Sequence, residues 1–244
     1  MADRVFASVD LGGTNIAAAI ADSGGQILAS DVVPTESHLG PDAVLSRIGE
    51  LVNRLAETTS LRPAALGMAV PGLCDPVQGV VKFLPNLPTQ WRDVQAAATL
   101  APEIGCPVRL LNDVRTATLG ELRFGHGREH STMAFFSVGT GIGGGVAIDG
   151  ELRLGALGAA GELGHQTILP DGPRCGCGNR GCLETLASGP AISASGVRLM
   201  RSGLAPELFR ITEGSVAAIN TQTMAAAADA GDQHVAEAIE QAAT

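Results

Sequence analysis

The most specific chemical signal in this 244-residue sequence is a group of one histidine and three cysteines. His165 is followed by Cys175, Cys177 and Cys182, with glycines between the cysteines. Three thiolates and an imidazole that converge suit a tetrahedral zinc site, and four protein ligands leave no position for water. The pattern therefore predicts a structural zinc site. Reduced, unliganded surface thiols are the alternative.

Two glycine-rich turns, each between strand-like runs, suit phosphate binding. The first is Asp10-Leu-Gly-Gly-Thr14, and the second runs from Gly139 to Gly145. Backbone N–H groups in such turns can surround phosphate oxygens, and Asp10 suits a nucleotide that carries Mg²⁺. Ordinary hairpin turns that need glycine are the alternative. Two such turns suggest two lobes that offer N–H groups to phosphate across a cleft.

The second turn also satisfies the dinucleotide-binding pattern GxGxxG. Gly139, Gly141 and Gly144 have the required spacing, and Glu162 lies near the distance of a ribose-binding acid. In a dinucleotide-binding site these glycines are followed directly by a helix, because the pyrophosphate binds at the helix N-terminus. The residues 145–150 that follow have the sequence of a strand and a turn, which opposes a nicotinamide-dependent dehydrogenase.

Three carboxylates are candidates for chemistry on a hydroxyl group. Asp113 follows a strand-like run, where it suits a general base that takes a hydroxyl proton as the oxygen attacks phosphorus. The alternative is a helix N-cap at Asn112 or Asp113, and the two roles are compatible. Glu162 and Glu184 lie at the two ends of the cysteine-rich segment, where they suit acceptors for ligand hydroxyls.

Alternating and helical apolar patterns predict the elements that position these residues. Segment 155–182 is expected to be a glycine-rich loop, and Gly189-Pro190 interrupts one helical pattern. Strands are predicted at 5–10, 16–20, 27–33, 64–70, 108–111, 133–138 and 146–154, and helices at 41–57, 93–104, 113–124, 183–201 and 223–243.

Composition excludes several classes of function. Asp and Glu number 25 against 16 Lys and Arg, a net charge of −9, so neither nucleic acid nor an anionic membrane is expected as a partner. Lys82 is the single lysine and follows Val81, which rules out a GxxxxGK[ST] phosphate loop. The longest charge-free stretch, 131–148, is broken by glycines, and residues 1–4 are too short for a secretory signal. A cytoplasmic location is expected.

Seven ordered motifs between residue 5 and about residue 190 together resemble one family, the ROK (repressor, ORF, kinase) sugar kinases, most of all bacterial ATP-dependent glucokinases. Each motif alone is less specific than their order. The motifs are Asp10–Thr14, Val70-Pro-Gly72, Asn86-Leu87 with Trp91 nearby, Leu111-Asn-Asp113, Gly139–Gly145, Ala160-Gly-Glu-Leu-Gly-His165 and Cys175–Glu184.

The resemblance implies an α/β, actin-like (RNase H-like) duplicated fold that binds the sugar between two lobes, expected at residues 1–113 and 114–244. It implies transfer of the ATP γ-phosphate to the 6-hydroxyl of a hexose, with Asp113 as the general base. The implied sugar-binding residues are Asn86, Asn112, Glu162, His165 and Glu184. The implied zinc ligands are His165, Cys175, Cys177 and Cys182. The implied nucleotide-binding residues, with Mg²⁺ near Asp10, are Asp10, Gly12, Gly13, Thr14, Gly139, Thr140 and Gly141.

The C-terminus departs from the family pattern. Similar proteins continue into a further glycine-rich strand–turn region, and nothing in 204–244 resembles it. The C-terminal part is therefore expected to be truncated, or the adenine pocket incomplete. Glucose is the expected sugar, with N-acetylhexosamines or fructose as alternatives and polyphosphate as an alternative donor. A sugar-binding sensor without catalysis is the alternative function, and a homodimer is expected because dimers are common in similar proteins.

Overall fold

The computed structural model describes residues 4–84, 87–89, 91–156 and 158–244. The chain divides into two compact units. Unit 1 comprises Met1–Met133 with Val146–Ala160, and unit 2 comprises Ala134–Gly145 with Gly161–Thr244. The boundary between lobes at residue 113 stays a prediction from the sequence. The helix that starts at Asp113 belongs to unit 1, because it packs on strands of that unit.

The elements alternate between strand and helix in the first half of the chain and are mostly helical in the second half. The strands are β1 (Val5–Leu11), β2 (Asn15–Asp22), β3 (Ile27–Pro34), β4 (Leu66–Val70), β5 (Leu73–Asp75), β6 (Val80–Phe83), β7 (Arg92–Val94), β8 (Val108–Asn112), β9 (Met133–Val138), β10 (Ile142–Ile148) and β11 (Glu151–Leu152). The helices are α1 (Pro41–Thr59), α2 (Ala96–Ile104), α3 (Asp113–Phe124), α4 (Leu183–Ala187), α5 (Gly189–Arg201), α6 (Pro206–Ile211), α7 (Thr221–Asp229) and α8 (Gln233–Ala243).

A five-stranded sheet with the order β3-β2-β1-β4-β8 forms the centre of unit 1. Strand β1 alternates strictly between buried and exposed residues, so one sheet face is buried. Helix α1 packs on β2 and β3 with the apolar stripe that the sequence predicts. The members of that stripe are Val44, Leu45, Ile48, Leu51, Val52 and Leu55. Burial of each such side chain contributes about 1.5–3 kcal/mol.

Strand direction in this sheet determines where the chemistry-bearing residues lie. β1 pairs in parallel with β4, and β4 pairs in parallel with β8. Asp10 pairs with Ala69, and Val70 pairs with Asn112, so the carboxyl ends of the three strands meet at one edge. Ligands of open α/β sheets bind at the carboxyl ends of their strands. The first glycine turn and the start of α3 follow this edge directly.

Smaller sheets complete the strand structure. One has the order β5-β6-β7, and the other has the order β11-β10-β9. Strand β10 contains the point at which the chain passes between the units, since Ile142–Gly145 belong to unit 2 and Val146–Ile148 to unit 1. The helix predicted at 93–104 begins only at Ala96, because Arg92 and Val94 pair with β6.

Unit 2 contains helices α4–α8 around a small apolar core. Two helical segments predicted from the sequence are each divided, the first at the interruption that Gly189-Pro190 predicts. Segment 183–201 is interrupted at Ser188, which caps α5 by accepting a hydrogen bond from the Ala191 amide. Segment 223–243 is interrupted between α7 and α8, where Gly231 has φ +108° and Asp232 is buried. The Asp232 carboxylate accepts hydrogen bonds from the Glu207 and Leu208 amides, which attaches the second break to α6.

None of the helices in the described part of the chain is long and apolar enough to cross a membrane.

Candidate functional site

The first glycine turn joins β1 to β2 and is held from one side by residues that follow β3. The Thr35 hydroxyl donates to the Gly12 carbonyl at 2.8 Å, and the Thr35 amide donates to the Thr14 carbonyl at 2.8 Å. The Ser37 hydroxyl lies 3.4 Å from the Gly13 carbonyl. Because C=O and N–H point in opposite directions in a trans peptide, the Gly13 and Thr14 amides point away from these residues. The turn thus has N–H groups available for an anion.

Two carboxylates lie at the sheet edge beside this turn. Asp10 ends β1 and Asp113 begins α3, and both line one cavity of about 780 Å³ in unit 1. Burial raises the pKa of Asp10, and the negative charge of Asp113 raises it further. Removal of water and a nearby like charge both penalise an ionised carboxylate. A divalent cation relieves this repulsion, so the donor set fits Mg²⁺.

Asn112 has the structural role that its sequence context predicts. Its side-chain oxygen accepts a hydrogen bond from the Arg115 amide and thereby caps α3. Its amide nitrogen donates to the Gly72 carbonyl at 3.2 Å. Asp113 is half-buried, and its Oδ1 accepts from the Val114 amide at 2.8 Å. The carboxylate therefore has a defined orientation at the start of the helix.

The second glycine turn lies in unit 2, between β9 and β10. Its tip is tight, because the Gly139 amide donates to the Gly141 carbonyl at 2.9 Å. The Gly189 amide donates to the Gly139 carbonyl, also at 2.9 Å. Strand β10 follows the turn, so the helix that a dinucleotide fingerprint requires is not there. Gly139 and Thr140 are exposed, as contact with phosphate would require.

The four predicted zinc ligands converge. Their ligand atoms all lie within 4.8 Å of one another. Cys177 Sγ and Cys182 Sγ are 3.7 Å apart, and Cys175 Sγ is 3.5 Å from Nδ1 of His165. Around a tetrahedral zinc ion, two thiolates lie roughly 3.8 Å apart, and a thiolate and an imidazole nitrogen roughly 3.5 Å apart. The cluster therefore fits zinc with Nδ1 as the histidine ligand.

Protonation in this cluster differs between the cysteines. Burial, and to a smaller extent the hydrogen bond with Cys177, raises the pKa of Cys182 to about 12. A hydrogen bond from the Asn179 amide lowers the pKa of Cys177. Because zinc binds thiolates, metal binding at neutral pH must release protons, above all from Cys182.

Glu162 and His165 form a second pair of polar groups on the same short segment. His165 Nε2 lies 4.0 Å from Glu162 Oε2. If Nδ1 binds the metal, Nε2 carries the proton and becomes a donor. A donor and a carboxylate acceptor side by side suit adjacent hydroxyl groups of a ligand. Asn86, the remaining residue expected to bind sugar, lies outside the described residues.

The sequence matches known proteins over nearly its whole length. A model of the ROK family matches residues 6–244. The chain belongs to the ROK family.

The ROK relatives include sugar kinases of known structure. The chain is 39% identical to a glucokinase from Thermotoga maritima over 195 residues, which are 80% of this chain and 59% of that protein. The structure of a ROK hexokinase from Thermus thermophilus is 35% identical with a TM-score of 0.83, and the match covers 98% of this chain and 74% of that one. A ROK glucokinase from Streptomyces griseus, in complex with glucose and AMPPNP, is 33% identical with a TM-score of 0.75. The match covers 98% of this chain and 75% of that one.

These comparisons confirm the expected fold class, the α/β actin-like fold of ROK kinases. The chain spans slightly less than three fifths of the length of the glucokinase from Thermotoga maritima. ROK relatives with other names are also matched. They are a xylose repressor from Bacillus subtilis, 34% identical, and an N-acetylmannosamine kinase from Citrobacter koseri, 32% identical.

Three residues that hold the ROK glycine turns were not identified from the sequence. Thr35 and Ser37 support the first turn, and Ile142 connects the second turn to Glu184. Thr35 has no exposed surface, although Glu36 beside it is charged. Its position after β3 carries no local signal, because its partner, Gly12, is 23 residues away in sequence.

Proposed function

We propose that the protein is a sugar kinase that transfers the γ-phosphoryl group of ATP to the 6-hydroxyl of a hexose, with glucose as the expected substrate. The observation that carries the proposal is the edge of the unit 1 sheet. It brings the first glycine turn, Asp10 and the oriented carboxylate of Asp113 to the carboxyl ends of β1 and β8, the two strands that flank β4. The similarity to glucokinases supports the choice of reaction and sugar.

In the proposed reaction Asp113 is the general base. Its carboxylate accepts the proton of the sugar 6-hydroxyl while that oxygen attacks the γ-phosphorus. The bond between the γ-phosphorus and the bridging oxygen breaks, and ADP leaves with both electrons of that bond. Gly12, Gly13, Thr14, Gly139, Thr140 and Gly141 bind phosphate oxygens. Asp10 would lie near the Mg²⁺ ion that accompanies ATP, which would supply neutralisation of charge on the phosphates.

The other sugar hydroxyls are assigned to Asn86, Asn112, Glu162, His165 and Glu184. Zinc held by His165, Cys175, Cys177 and Cys182 is structural in this proposal, since four protein ligands close its coordination shell. His165, with Nδ1 on the metal, would keep Nε2 as a donor for a sugar hydroxyl. The His165 ring therefore serves the metal and the sugar together, through different nitrogens.

Asp113→Asn tests the proposal. Turnover should fall by about 10²–10⁴-fold, the contribution of a general base, while sugar affinity changes little. The measurement is ADP release with Mg-ATP across hexoses and N-acetylhexosamines, using zinc-loaded protein, with sugar affinity from calorimetry. Unchanged turnover in Asp113→Asn would refute the role of Asp113.

A sugar sensor without catalysis is the second candidate, because xylose repressors are among the relatives. The same panel separates the two candidates. A sensor binds one sugar with no ADP release, whereas a kinase releases ADP with at least one sugar and loses that activity in Asp113→Asn. An N-acetylhexosamine that supports faster turnover than glucose would replace glucose as the substrate.

A further inference from the structure

The side chain of Glu184 contacts the second glycine turn directly. Its Oε2 accepts a hydrogen bond from the Ile142 amide at 2.9 Å. Ile142 is buried and Glu184 is half-buried, so water competes weakly for this bond. A bond from an amide to a carboxylate is stronger than one between neutral groups. Oε1 of Glu184 accepts no hydrogen bond from the described residues.

The space that Glu184 occupies explains the glycine at position 141. A Cβ added to Gly141 would overlap Oε2 of Glu184. The φ of Gly141 lies outside the positive range, so the backbone itself accepts a side chain. The turn therefore needs glycine at this position for the carboxylate, and not for its own conformation.

Glu184 lies on the segment 182–189, which contacts the turn through Glu184 and again through Gly189. The Gly189 amide donates to the Gly139 carbonyl, five residues after Glu184. The same segment starts at Cys182, a predicted zinc ligand with no exposed surface. The Leu183 amide donates to the Gln166 carbonyl at 2.9 Å. The carboxylate thus approaches the turn from an anchored backbone.

We propose that Glu184 is a positioning residue for the nucleotide as well as a sugar ligand: through Oε2 it holds the Ile142 amide, and thereby the phosphate-binding conformation of the second glycine turn. The proposal rests on the proposed function for the identity of the two ligands. A sugar hydroxyl bound at Oε1 restricts the same carboxylate that holds the turn. Sugar and nucleotide then increase each other's affinity, because coupling between two sites is reciprocal.

Three variants test this role. In Glu184→Ala the bond to Ile142 is lost, in Glu184→Gln the side-chain carbonyl can still accept it, and in Gly141→Ala the new methyl group displaces the carboxylate. Glu162→Gln is the matched control, because Glu162 is assigned to the sugar alone. Circular dichroism and thermal melting identify any variant that fails to fold.

The first measurement is hydrogen exchange of the Ile142 amide in the protein without ligands. Exchange should accelerate in Glu184→Ala and in Gly141→Ala, and remain near the unmodified rate in Glu184→Gln and Glu162→Gln. The second measurement is the dissociation constant of Mg-AMPPNP without sugar. Loss of a hydrogen bond to a charged group predicts an increase of roughly tenfold or more in Glu184→Ala, with a smaller change in Glu184→Gln.

The third measurement is the affinity for glucose, which should fall in both Glu184 variants and in Glu162→Gln. Unchanged Ile142 exchange in Glu184→Ala, or unchanged nucleotide affinity beside weakened glucose binding, would overturn the positioning role. If the unmodified chain binds no nucleotide, the kinase proposal fails instead. Accelerated Ile142 exchange would then still support Glu184 as the residue that holds the turn.

Discussion

At the scale of single residues, Thr35 shows how a buried hydroxyl can define the conformation of a glycine turn that is proposed to bind phosphate. Its side chain has no exposed surface and bonds to the Gly12 carbonyl, while its amide bonds to the Thr14 carbonyl. Two bonds from one residue fix the orientation of two peptide planes. The N–H groups for an anion are thereby directed before the anion binds, which lowers the entropic cost of binding.

Thr35→Val should weaken nucleotide binding, since valine keeps the shape and loses the donor. An unsatisfied buried carbonyl costs about 1–3 kcal/mol, which predicts a lower melting temperature and a several-fold higher dissociation constant for Mg-AMPPNP. Thr35→Ser retains the hydroxyl and should restore most of the affinity. Equal affinities in Thr35→Val and Thr35→Ser would show that the hydroxyl does not orient the turn.

Asp10 makes a second prediction at this scale, on stability against pH. Burial and Asp113 raise its folded pKa above 3.8, so the folded state binds the proton more tightly than the unfolded state. The ionised Asp10 carboxylate therefore lowers the free energy of unfolding. This destabilisation is absent below pH 3.8 and develops as pH rises through the folded pKa. Asp10→Asn should therefore be more stable than the unmodified protein at pH 7 without Mg²⁺, and the difference should disappear in acid.

Asp31→Asn is the control for this measurement. The side chain of Arg54 hydrogen-bonds Asp31 at 2.7 Å and lowers its pKa, so the charge of Asp31 stabilises the folded state. Urea denaturation at pH 3 to pH 7 gives the free energy of unfolding of each variant. Relative to the unmodified protein, this free energy at pH 7 should be higher in Asp10→Asn and lower in Asp31→Asn. A variant Asp10→Asn that is less stable at pH 7 would contradict the prediction.

At the scale of elements, the segment from Gly161 to Cys182 has little regular structure of its own. It contains one short 3-10 turn, Leu163–His165, and isolated bridges that pair Thr167 with Cys182 and Arg174 with Arg180. Its hydrogen bonds lie in turns and in single pairs within the segment, such as the Ile168 amide with the Gly181 carbonyl. A metal bound by four side chains from this segment contributes directly to its folding free energy.

Removal of zinc by a chelator should increase hydrogen exchange in residues 161–189 and leave the core of β1 and α1 protected. Glucose affinity should fall as well, because His165 is proposed to bind both metal and sugar. Cys177→Ser should reproduce these changes, and Cys106→Ser, which alters a buried thiol outside the cluster, should not. Metal analysis that finds no zinc in the native protein would refute the site.

In unit 2, the break between α7 and α8 lies where a tertiary contact is made. The continuous apolar pattern of 223–243 contains an interruption at Gly231, followed by Asp232, whose carboxylate binds amides at the start of α6. The sequence shows a glycine and an acidic residue there, but a single glycine or acidic residue does not by itself end a surface helix. The partner amides lie 24 and 25 residues away, and local periodicity contains no information about them.

At the scale of the whole molecule, each unit has its own hydrophobic core. The unit 1 core lies between the five-stranded sheet and helices α1 and α2, and the unit 2 core lies among the helices α5–α8. The Asp10 and Asp113 pair belongs to unit 1, while the zinc cluster, Glu162 and Glu184 belong to unit 2.

The sequence by itself determined the family, the cluster of His165 with three cysteines and the two glycine turns. Each of these features consists of particular residue types that lie close together in the sequence. Residues that are close in sequence are also close in space, whatever the rest of the chain does. The apolar stripe of α1 and the strand that follows the second turn were predictable for the same reason.

Only the tertiary structure decided what holds the turns. Thr35 bonds to Gly12 across 23 residues, and Glu184 bonds to Ile142 across 42. It also decided that α3 packs with unit 1, and that Asn112 uses both ends of its amide for the backbone. A hydrogen bond of this kind forms between groups that chain folding brings together, and the identity of the distant partner is not encoded near either residue.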